Sequence, residues 1–191
     1  KNTYLVCIQI VCTCTLFYSC TSQNISNDNL SLIAFESFES GSSNIYTMDP
    51  DGSTIKQLTN NKYNDSWPRW SPDGEKIVFV SDRNGNNEIY IMNRDGSAQI
   101  RITEDAADDF CPVWSPDGSM IAFCTRRYPN GGSEIVRRNI DAGSTWGFNL
   151  TQLTFSKDHH SSNADDFISW SPDGKWIAFE SDRDRDDPEI Y

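Results

Sequence analysis

The sequence is poor in histidine, in basic residues and in long apolar runs, and each shortage excludes a class of function. Its 191 residues include two histidines, the adjacent pair His159 and His160, which is too few for a multi-histidine metal centre. Sixteen lysines and arginines face 28 aspartates and glutamates, giving a net charge of −12. Phosphate backbones and anionic membrane surfaces attract basic proteins, so neither nucleic acid nor a membrane surface is an expected partner. The 12% aromatic content nevertheless predicts a packed fold rather than a disordered acidic chain.

The amino-terminal apolar segment predicts export. Residues 5–18 are uncharged and mostly apolar, and Lys1 precedes them; the segment is shorter than the roughly 20 residues that span a bilayer. A positive end, an apolar stretch and small residues describe a secretory signal, so we assign 1–20 to an export signal and 21–28 to a linker. This end resembles that of bacterial lipoproteins, which implies lipidation of Cys20, although Phe17 and Tyr18 depart from the usual pattern. The alternative is a short buried strand or hydrophobic helix of the mature fold.

One pentapeptide, Trp-Ser-Pro-Asp-Gly, recurs along the rest of the chain at intervals of 44 and 56 residues. Three further phrases follow it in a fixed order, of the types Ile-Ala-Phe, Glu-Ile-Tyr and Gln-Leu-Thr, and an earlier copy of these lies between residues 33 and 59. Internal repeats of this length determine the fold, so they are decisive here. The repeat-defining positions are Trp70, Pro72, Asp73, Gly74, Trp114, Pro116, Asp117, Gly118, Trp170, Pro172, Asp173 and Gly174.

The phrases predict four short antiparallel strands joined by tight turns. Ser-Pro-Asp-Gly suits a turn because proline presets φ and glycine accepts a positive φ. The run Ile77–Val80 is apolar at every position, as in strands that are buried on both faces. A four-stranded unit of about 40–45 residues with two buried faces fits a propeller blade. A sandwich would more often leave one face of each sheet wet. We expect each repeat tryptophan to pack between adjacent blades.

These motifs resemble the repeat of TolB-type β-propellers. The residues that carry the resemblance are the pentapeptide, the Ile-Ala-Phe phrase, Ser81-Asp82-Arg83-Asn84-Gly85 and Glu88-Ile89-Tyr90. The implied fold is all-β: a β-propeller fragment of about three to four four-stranded antiparallel blades that form an open arc. The repeats occupy 29–191, with units at about 29–65, 66–109, 110–165 and 166–191, the last truncated. The first unit lacks the pentapeptide, and the third is lengthened in Arg127–Ser133, Ala142–Phe148 and Ser156–Asn163.

Three aspartates are the candidate metal ligands of this sequence. Asp65, Asp109 and Asp165 each lie five residues before a repeat tryptophan, which places them in the loop before each innermost strand. A ring of carboxylates suits calcium, but aspartates in such loops more often bond their own backbone, so no metal or cofactor is assigned. His159 and His160 fit an exposed loop better than the histidine and metal site that a resemblance to oligogalacturonate lyases would imply.

Arg83 offers a choice between a partner's carboxylate and an intra-blade hydrogen bond, and the second is favoured. Arg126-Arg127 stands where the second unit has Asp82-Arg83, which casts doubt on a strict structural role in the third unit.

Two of the six cysteines are candidates for a disulfide. Four cysteines fall in the export segment, so Cys111 and Cys124 remain. If Trp114 faces Ile121 across the hairpin, Cys111 faces Cys124, and opposed cysteines on neighbouring strands come within bonding reach. A register slip of one residue would abolish the pair.

The resemblance implies a non-catalytic scaffold for protein–protein interaction in the bacterial cell envelope, with Tol–Pal-like partners. The expected location is the periplasm or the outer membrane as a lipoprotein, with membrane contact only through a lipid anchor. One alternative is the propeller domain of a larger enzyme, either a hydrolase of prolyl-oligopeptidase type or an oligogalacturonate-lyase-like protein. Another is a sugar-binding propeller. Fold alone does not decide among these functions.

Overall fold

The structure is a computed structural model that describes residues 32–39, 41–128, 132–140, 150–155, 165–181 and 189–191. These residues form β-strands in four antiparallel sheets, and no helix occurs among them; accordingly, this part of the chain contains no helix that could span a membrane. The predicted export signal, the linker and Cys20 lie outside the described residues.

Each sheet is a meander in which consecutive strands pair. The first sheet contains β1 (Ile33–Glu39), β2 (Ser42–Met48) and β3 (Lys56–Gln57). The second contains β4 (Asp65–Trp70), β5 (Lys76–Ser81), β6 (Glu88–Asn93) and β7 (Ile100–Arg101). The third contains β8 (Asp109–Trp114), β9 (Met120–Thr125), β10 (Glu134–Asn139) and β11 (Leu150–Gln152). The fourth contains β12 (Asp165–Trp170), β13 (Ile177–Ser181) and β14 (Glu189–Ile190). From the second unit onward, each sheet begins one residue before the predicted unit boundary.

The sheets are arranged around a common axis. The first strands of neighbouring sheets contact one another, β4 with β8 and β8 with β12, whereas the last strands β3, β7, β11 and β14 contact no strand of another described sheet. The first strands are therefore innermost and the last strands outermost, which is the arrangement of propeller blades. The predicted all-β, open-arc propeller is confirmed.

The core lies between the sheets, and the repeat tryptophans are part of it. Trp70 packs with Ala34 and Ile45 of the first sheet, and Trp114 packs with Val78 and Val80 of the second. Trp170 packs against the cluster between the third and fourth sheets. A tryptophan buries roughly 150–250 Å², worth about 4–6 kcal/mol at 25 cal/mol per Å². The expectation that these side chains pack between adjacent blades is confirmed.

The Ser-Pro-Asp-Gly segments form tight turns with the predicted backbone conformation. The Gly74 amide donates to the Ser71 carbonyl at 2.9 Å, and Gly74 has a φ of 70°. Ser71 Oγ donates to Asp73 Oδ1 at 2.6 Å and accepts the Lys76 amide at 2.9 Å. The serine hydroxyl therefore connects the turn aspartate to the start of β5. The same contacts recur in the other two turns, at Ser115, Asp117 and Met120, and at Ser171, Asp173 and Trp176.

The predicted disulfide is wrong because the strand bulges beside Cys111. Trp114 does face Ile121, but the register shifts between Phe110 and Val113, so Phe110 rather than Cys111 faces Cys124. Cys111 has a φ of 52°, in the left-handed region, which is where an extra residue of a bulge can sit. Both cysteines are buried, and no disulfide joins them.

Candidate functional site

The predicted metal-ligand aspartates begin the innermost strands instead of lying in the preceding loops. Asp65, Asp109 and Asp165 are the first residues of β4, β8 and β12. The side chains of Asp65 and Asp109 have no solvent exposure. Burying a carboxylate costs several kcal/mol unless charged or hydrogen-bonding partners compensate it. Each of these two aspartates is paired with an arginine from the loop that follows the second strand of its own sheet.

In the second sheet the buried carboxylate is bonded at both oxygens. Arg83 Nη2 donates to Asp65 Oδ1 at 2.9 Å, and Asn61 Nδ2 donates to Asp65 Oδ2 at 2.7 Å. Arg83 Nε also donates to Ser81 Oγ at 2.8 Å, and the guanidinium lies over the Tyr90 ring at 4.6 Å. The arginine therefore ties the end of β5 to the start of β4, an intra-blade role.

In the third sheet Arg127 takes the same position. Its Nη2 donates to Asp109 Oδ2 at 2.6 Å and its Nε to Thr125 Oγ1 at 2.8 Å. The doubt raised by the Arg126-Arg127 pair is removed, because Arg127 keeps the structural role and Arg126 replaces only the exposed neighbour. Asp109 Oδ1 is buried without a hydrogen-bond partner. Burial raises the pKa of Asp109, and the charge of Arg127 only partly lowers it.

Each of these two sheets contains a second buried carboxylate, at the first residue of its third strand, that was not predicted from the sequence. Glu88 accepts from Arg101 Nη2 at 2.8 Å and from Thr103 Oγ1 at 2.5 Å, and the same hydroxyl accepts the Ile89 amide at 2.9 Å. In the third sheet Thr154 Oγ1 donates to Glu134 Oε2 at 2.6 Å. The signal was present, because each of these units has a Glu-Ile dipeptide followed later by Ile-Thr or Leu-Thr.

The described residues contain no group of three or more histidine, cysteine, aspartate or glutamate side chains placed to hold a metal ion. The carboxylates of Asp65 and Asp109 are directed at arginines, which would repel a cation. His159 and His160 lie outside the described residues.

The two rims of the arc differ in how far their residues vary between repeats. On the turn rim, the turns after the first strand of the unit, at 71–75, 115–119 and 171–175, use nearly the same residues in each copy. The turn at 94–97 lies on the same rim, and its counterpart in the sequence of the third unit contains the longer segment Ala142–Phe148. The loop rim, at 58–64, 82–87, 102–108, 126–128 and 132–133, differs between copies. Of the enlarged loops of the third unit, only Arg127, Tyr128, Gly132 and Ser133 are described.

The turn rim also carries a groove of about 600 Å³ between the first and second sheets. Lys56 Nζ donates across it to the Asp95 carbonyl at 3.1 Å. Charges of both signs surround this groove, so it has no clear preference for a ligand charge. It is lined by Leu32, Thr47, Lys56, Glu75, Lys76, Asn93, Arg94 and Asp95.

Comparison with solved structures places the chain beside TolB proteins. It is similar to the putative TolB from Agrobacterium tumefaciens, with 29% identity and a TM-score of 0.69 over 83% of this chain and 56% of that chain. It is also similar to TolB from Acinetobacter baumannii, with 32% identity and a TM-score of 0.68 over 83% of this chain and 37% of that chain. The chain thus spans about half or less of the length of these relatives.

More distant similarity extends to enzymes and concerns the fold alone. An oligogalacturonate lyase in complex with manganese shares 18% identity with a TM-score of 0.55, over 83% of this chain and 44% of that chain. Comparison with curated protein sequences gives no match. The family model described as the TolB beta propeller domain matches residues 18–169, most of the sequence. The chain therefore belongs to the TolB beta-propeller domain family.

Proposed function

We propose that the chain is a non-catalytic scaffold for protein–protein interaction in the bacterial cell envelope. The observation that supports this proposal is how the buried ionisable side chains are used. Asp65, Asp109 and Glu88 are each engaged by an arginine of their own sheet. Groups that are held in this way stabilise the blades and are not free to bind substrate or move protons.

The loop rim is the proposed binding surface. Its residues change charge between repeats: Asn64 pairs with Asp82 in the second sheet, and Asp108 lies 3.7 Å from Arg126 in the third. Loops held by a rigid scaffold are the usual carriers of binding specificity. Tyr63 adds an aromatic side chain that is 37% exposed, and exposed tyrosines are frequent contributors to protein interfaces.

The membership in the TolB family supports an envelope location and Tol–Pal-like partners, and both are part of the proposal. Residues 1–20 would direct export, and Cys20 would be acylated. The mass of the mature protein extracted from membranes tests the last point. Cleavage before Cys20 with an added diacylglyceryl group agrees with it, whereas an unmodified cysteine or an uncleaved segment contradicts it.

Binding to a soluble Pal-type lipoprotein domain from the same organism tests the scaffold proposal. We expect saturable binding by calorimetry that Tyr63→Ser on the loop rim weakens. Trp176→Ser is the matched control, because Trp176 is an exposed aromatic beside the turn rim, and this variant should bind as the wild type does. An absence of binding would contradict the proposed partner, and a loss in the control alone would contradict the proposed rim.

A further inference from the structure

The loop rim of the third sheet carries an arginine whose side-chain donors the fold does not use. Arg126 directly follows β9, and its side chain is 60% exposed. Its guanidinium donates no hydrogen bond to the described residues. The ion-pair contact with Asp108 has an N–O distance of 3.7 Å, which is longer than a hydrogen bond. By contrast, Arg83, Arg101 and Arg127 each donate at least two side-chain hydrogen bonds within their own units.

Asp108 is held by the preceding sheet rather than by Arg126. Its Oδ1 accepts the Asn87 amide at 2.9 Å, just before β6. In the second unit, Asp82 stands at the repeat position of Arg126, and Asn64 stands at that of Asp108. There Asn64 donates to the Asp82 carboxylate from both its backbone amide and its Nδ2, each at 2.8 Å. The polar pair at these positions is therefore closed in the second unit and open in the third.

The guanidinium is positioned by a contact that leaves its donors free. Arg126 Cζ lies 5.1 Å from the centroid of the Phe110 ring, within the range of a cation–π contact. Phe110 is partly buried and packs against the apolar clusters on both sides of the third sheet, which fixes the ring. Arginine binds a carboxylate through two parallel N–H donors, and a side chain that is already positioned loses less entropy on binding.

The charge of the surroundings favours a single carboxylate over a polyanion. The net charge of the chain is −12, which opposes binding of nucleic acid and of anionic membranes. Asp82, Glu104 and Asp108 lie on the same rim and repel carboxylates that approach beside Arg126. A carboxylate of a partner protein would therefore be stabilised at Arg126 and disfavoured next to it, which determines where the partner docks.

We propose that Arg126 is a carboxylate-binding residue of the loop rim, where it receives an aspartate, a glutamate or the carboxyl terminus of a partner protein. The proposal rests on the proposed scaffold function and adds the chemistry of the partner. Because an exposed ion pair contributes little to stability, Arg126→Met should remain folded, and its effect on binding can be measured directly.

The first test is calorimetry with the soluble Pal-type domain. Arg126→Met should weaken binding roughly ten- to a hundredfold, the range for a hydrogen bond to a charged group. Arg126→Lys should recover only part of the loss, since lysine keeps the charge without the planar fork. Lys175→Met on the turn rim is the matched control, because Lys175 is an exposed cation that also lies 3.7 Å from a carboxylate, that of Asp173. Equal affinity of the wild type and Arg126→Met overturns the inference and leaves the scaffold proposal standing.

A double-mutant cycle identifies the carboxylate. Each exposed aspartate and glutamate of the partner domain is replaced by asparagine or glutamine, and its carboxyl terminus is amidated. The change that removes the carboxylate bound by Arg126 should weaken binding to the wild type and have little effect on binding to Arg126→Met. If every change weakens binding to both chains equally, recognition of a carboxylate by Arg126 is wrong.

A probe that needs no partner separates failure of this inference from failure of the proposed function. Sodium acetate replaces sodium chloride at constant ionic strength while the arginine Nε–H signals are followed by NMR. The signal of Arg126 should shift saturably, whereas that of Arg83, whose Nε donates to Ser81, should not. A shift at Arg126 without binding of the Pal-type domain supports the carboxylate site and contradicts the proposed partner. No response of Arg126 to acetate, or a response to inorganic phosphate alone, overturns the inference whatever the partner domain does.

Discussion

Replacing Asp105 with asparagine should stabilise the protein, because it supplies a donor that one buried carboxylate lacks. Asp105 stands at the repeat position of Asn61, and both side chains accept the backbone amide two residues later, at 2.9 and 2.8 Å. Asn61 then donates to Asp65. The Asp105 side chain has no N–H to donate, and Asp109 Oδ1 is buried without a partner. Asp105→Asn keeps the acceptor oxygen and adds the missing donor.

The size of the effect follows from the charge of the acceptor. A hydrogen bond to a charged group contributes about 1.5–3 kcal/mol, and the lower end applies because Asp105 is only half-buried. We expect a gain of about 1.5 kcal/mol at pH 7, which corresponds to a rise in Tm of about 3–6 °C for a domain of this size. The mirror variant Asn61→Asp should lose a similar free energy of unfolding, since it gives Asp65 the surroundings of Asp109.

The pH dependence separates this cause from others. Burial raises the pKa of Asp109 above the ordinary value of 3.8, so its ionisation opposes folding above that raised pKa and ceases to do so as the pH falls toward 3.8. The gain from Asp105→Asn should therefore be largest at neutral pH and shrink on acidification. Urea unfolding followed by tryptophan fluorescence measures the gain in free energy of unfolding at pH 7 and at pH 4. No gain at pH 7, or the same gain at both pH values, would refute the reasoning.

Three further predictions concern other parts of the repeat. Arg127→Met should lower the free energy of unfolding by about 3 kcal/mol, because it leaves a buried carboxylate unpaired. Arg126→Met removes an exposed pair with an N–O distance of 3.7 Å and should lower it by less than about 1 kcal/mol. Equal losses in urea unfolding would contradict this prediction. Gly96→Ala should cost about 2–3 kcal/mol, since its Cβ would lie 2.8 Å from a backbone carbonyl oxygen at a φ of +91°. Gly85→Ala, with open space at a φ of +108°, should cost only about 1 kcal/mol, and a calorimetric Tm series compares the two. Hydrogen bonds from the hydroxyl of the turn serine and, to a smaller extent, from a backbone amide lower the pKa of Asp117 to about 2. Asp117→Asn should therefore destabilise the protein above pH 4 and lose its effect as the pH falls through 2. A carboxyl titration by NMR with a midpoint near 4 would count against this prediction.

The sheet order and the turns were predictable from the sequence because they depend on local chemistry. Proline and glycine at fixed places determine the turn at 71–75, and the apolar run Ile77–Val80 requires two covered faces. The pairing of Trp114 with Ile121 follows from the turn between them. Each of these features can be predicted from residues that are neighbours in the sequence.

The bulge and the buried ion pairs were not predicted because they depend on contacts between distant residues. Cys111 adopts a left-handed φ that cysteine itself does not predict. The following Pro112 is the only local indication, since proline within a strand is found at bulges. The pairing of Asp109 with Arg127 joins residues 18 positions apart. The same spacing separates Asp65 from Arg83, and that recurrence is the sequence signal from which both pairs could have been found.

The difference between the rims has a physical origin that bears on where a partner binds. In the turns at 71–75, 115–119 and 171–175, the aspartate accepts a hydrogen bond from the serine hydroxyl of the same turn. Changing either residue therefore removes a contact that fixes the start of the next strand. On the loop rim the exchange of Asn64 and Asp82 for Asp108 and Arg126 occurs among exposed side chains, and exposed pairs contribute little to stability. Charge can therefore change on the loop rim at small cost to the fold. Because the charges of the loop rim can change with little loss of stability, partner specificity can be altered there. The binding test therefore compares a variant of the loop rim with a variant of the turn rim.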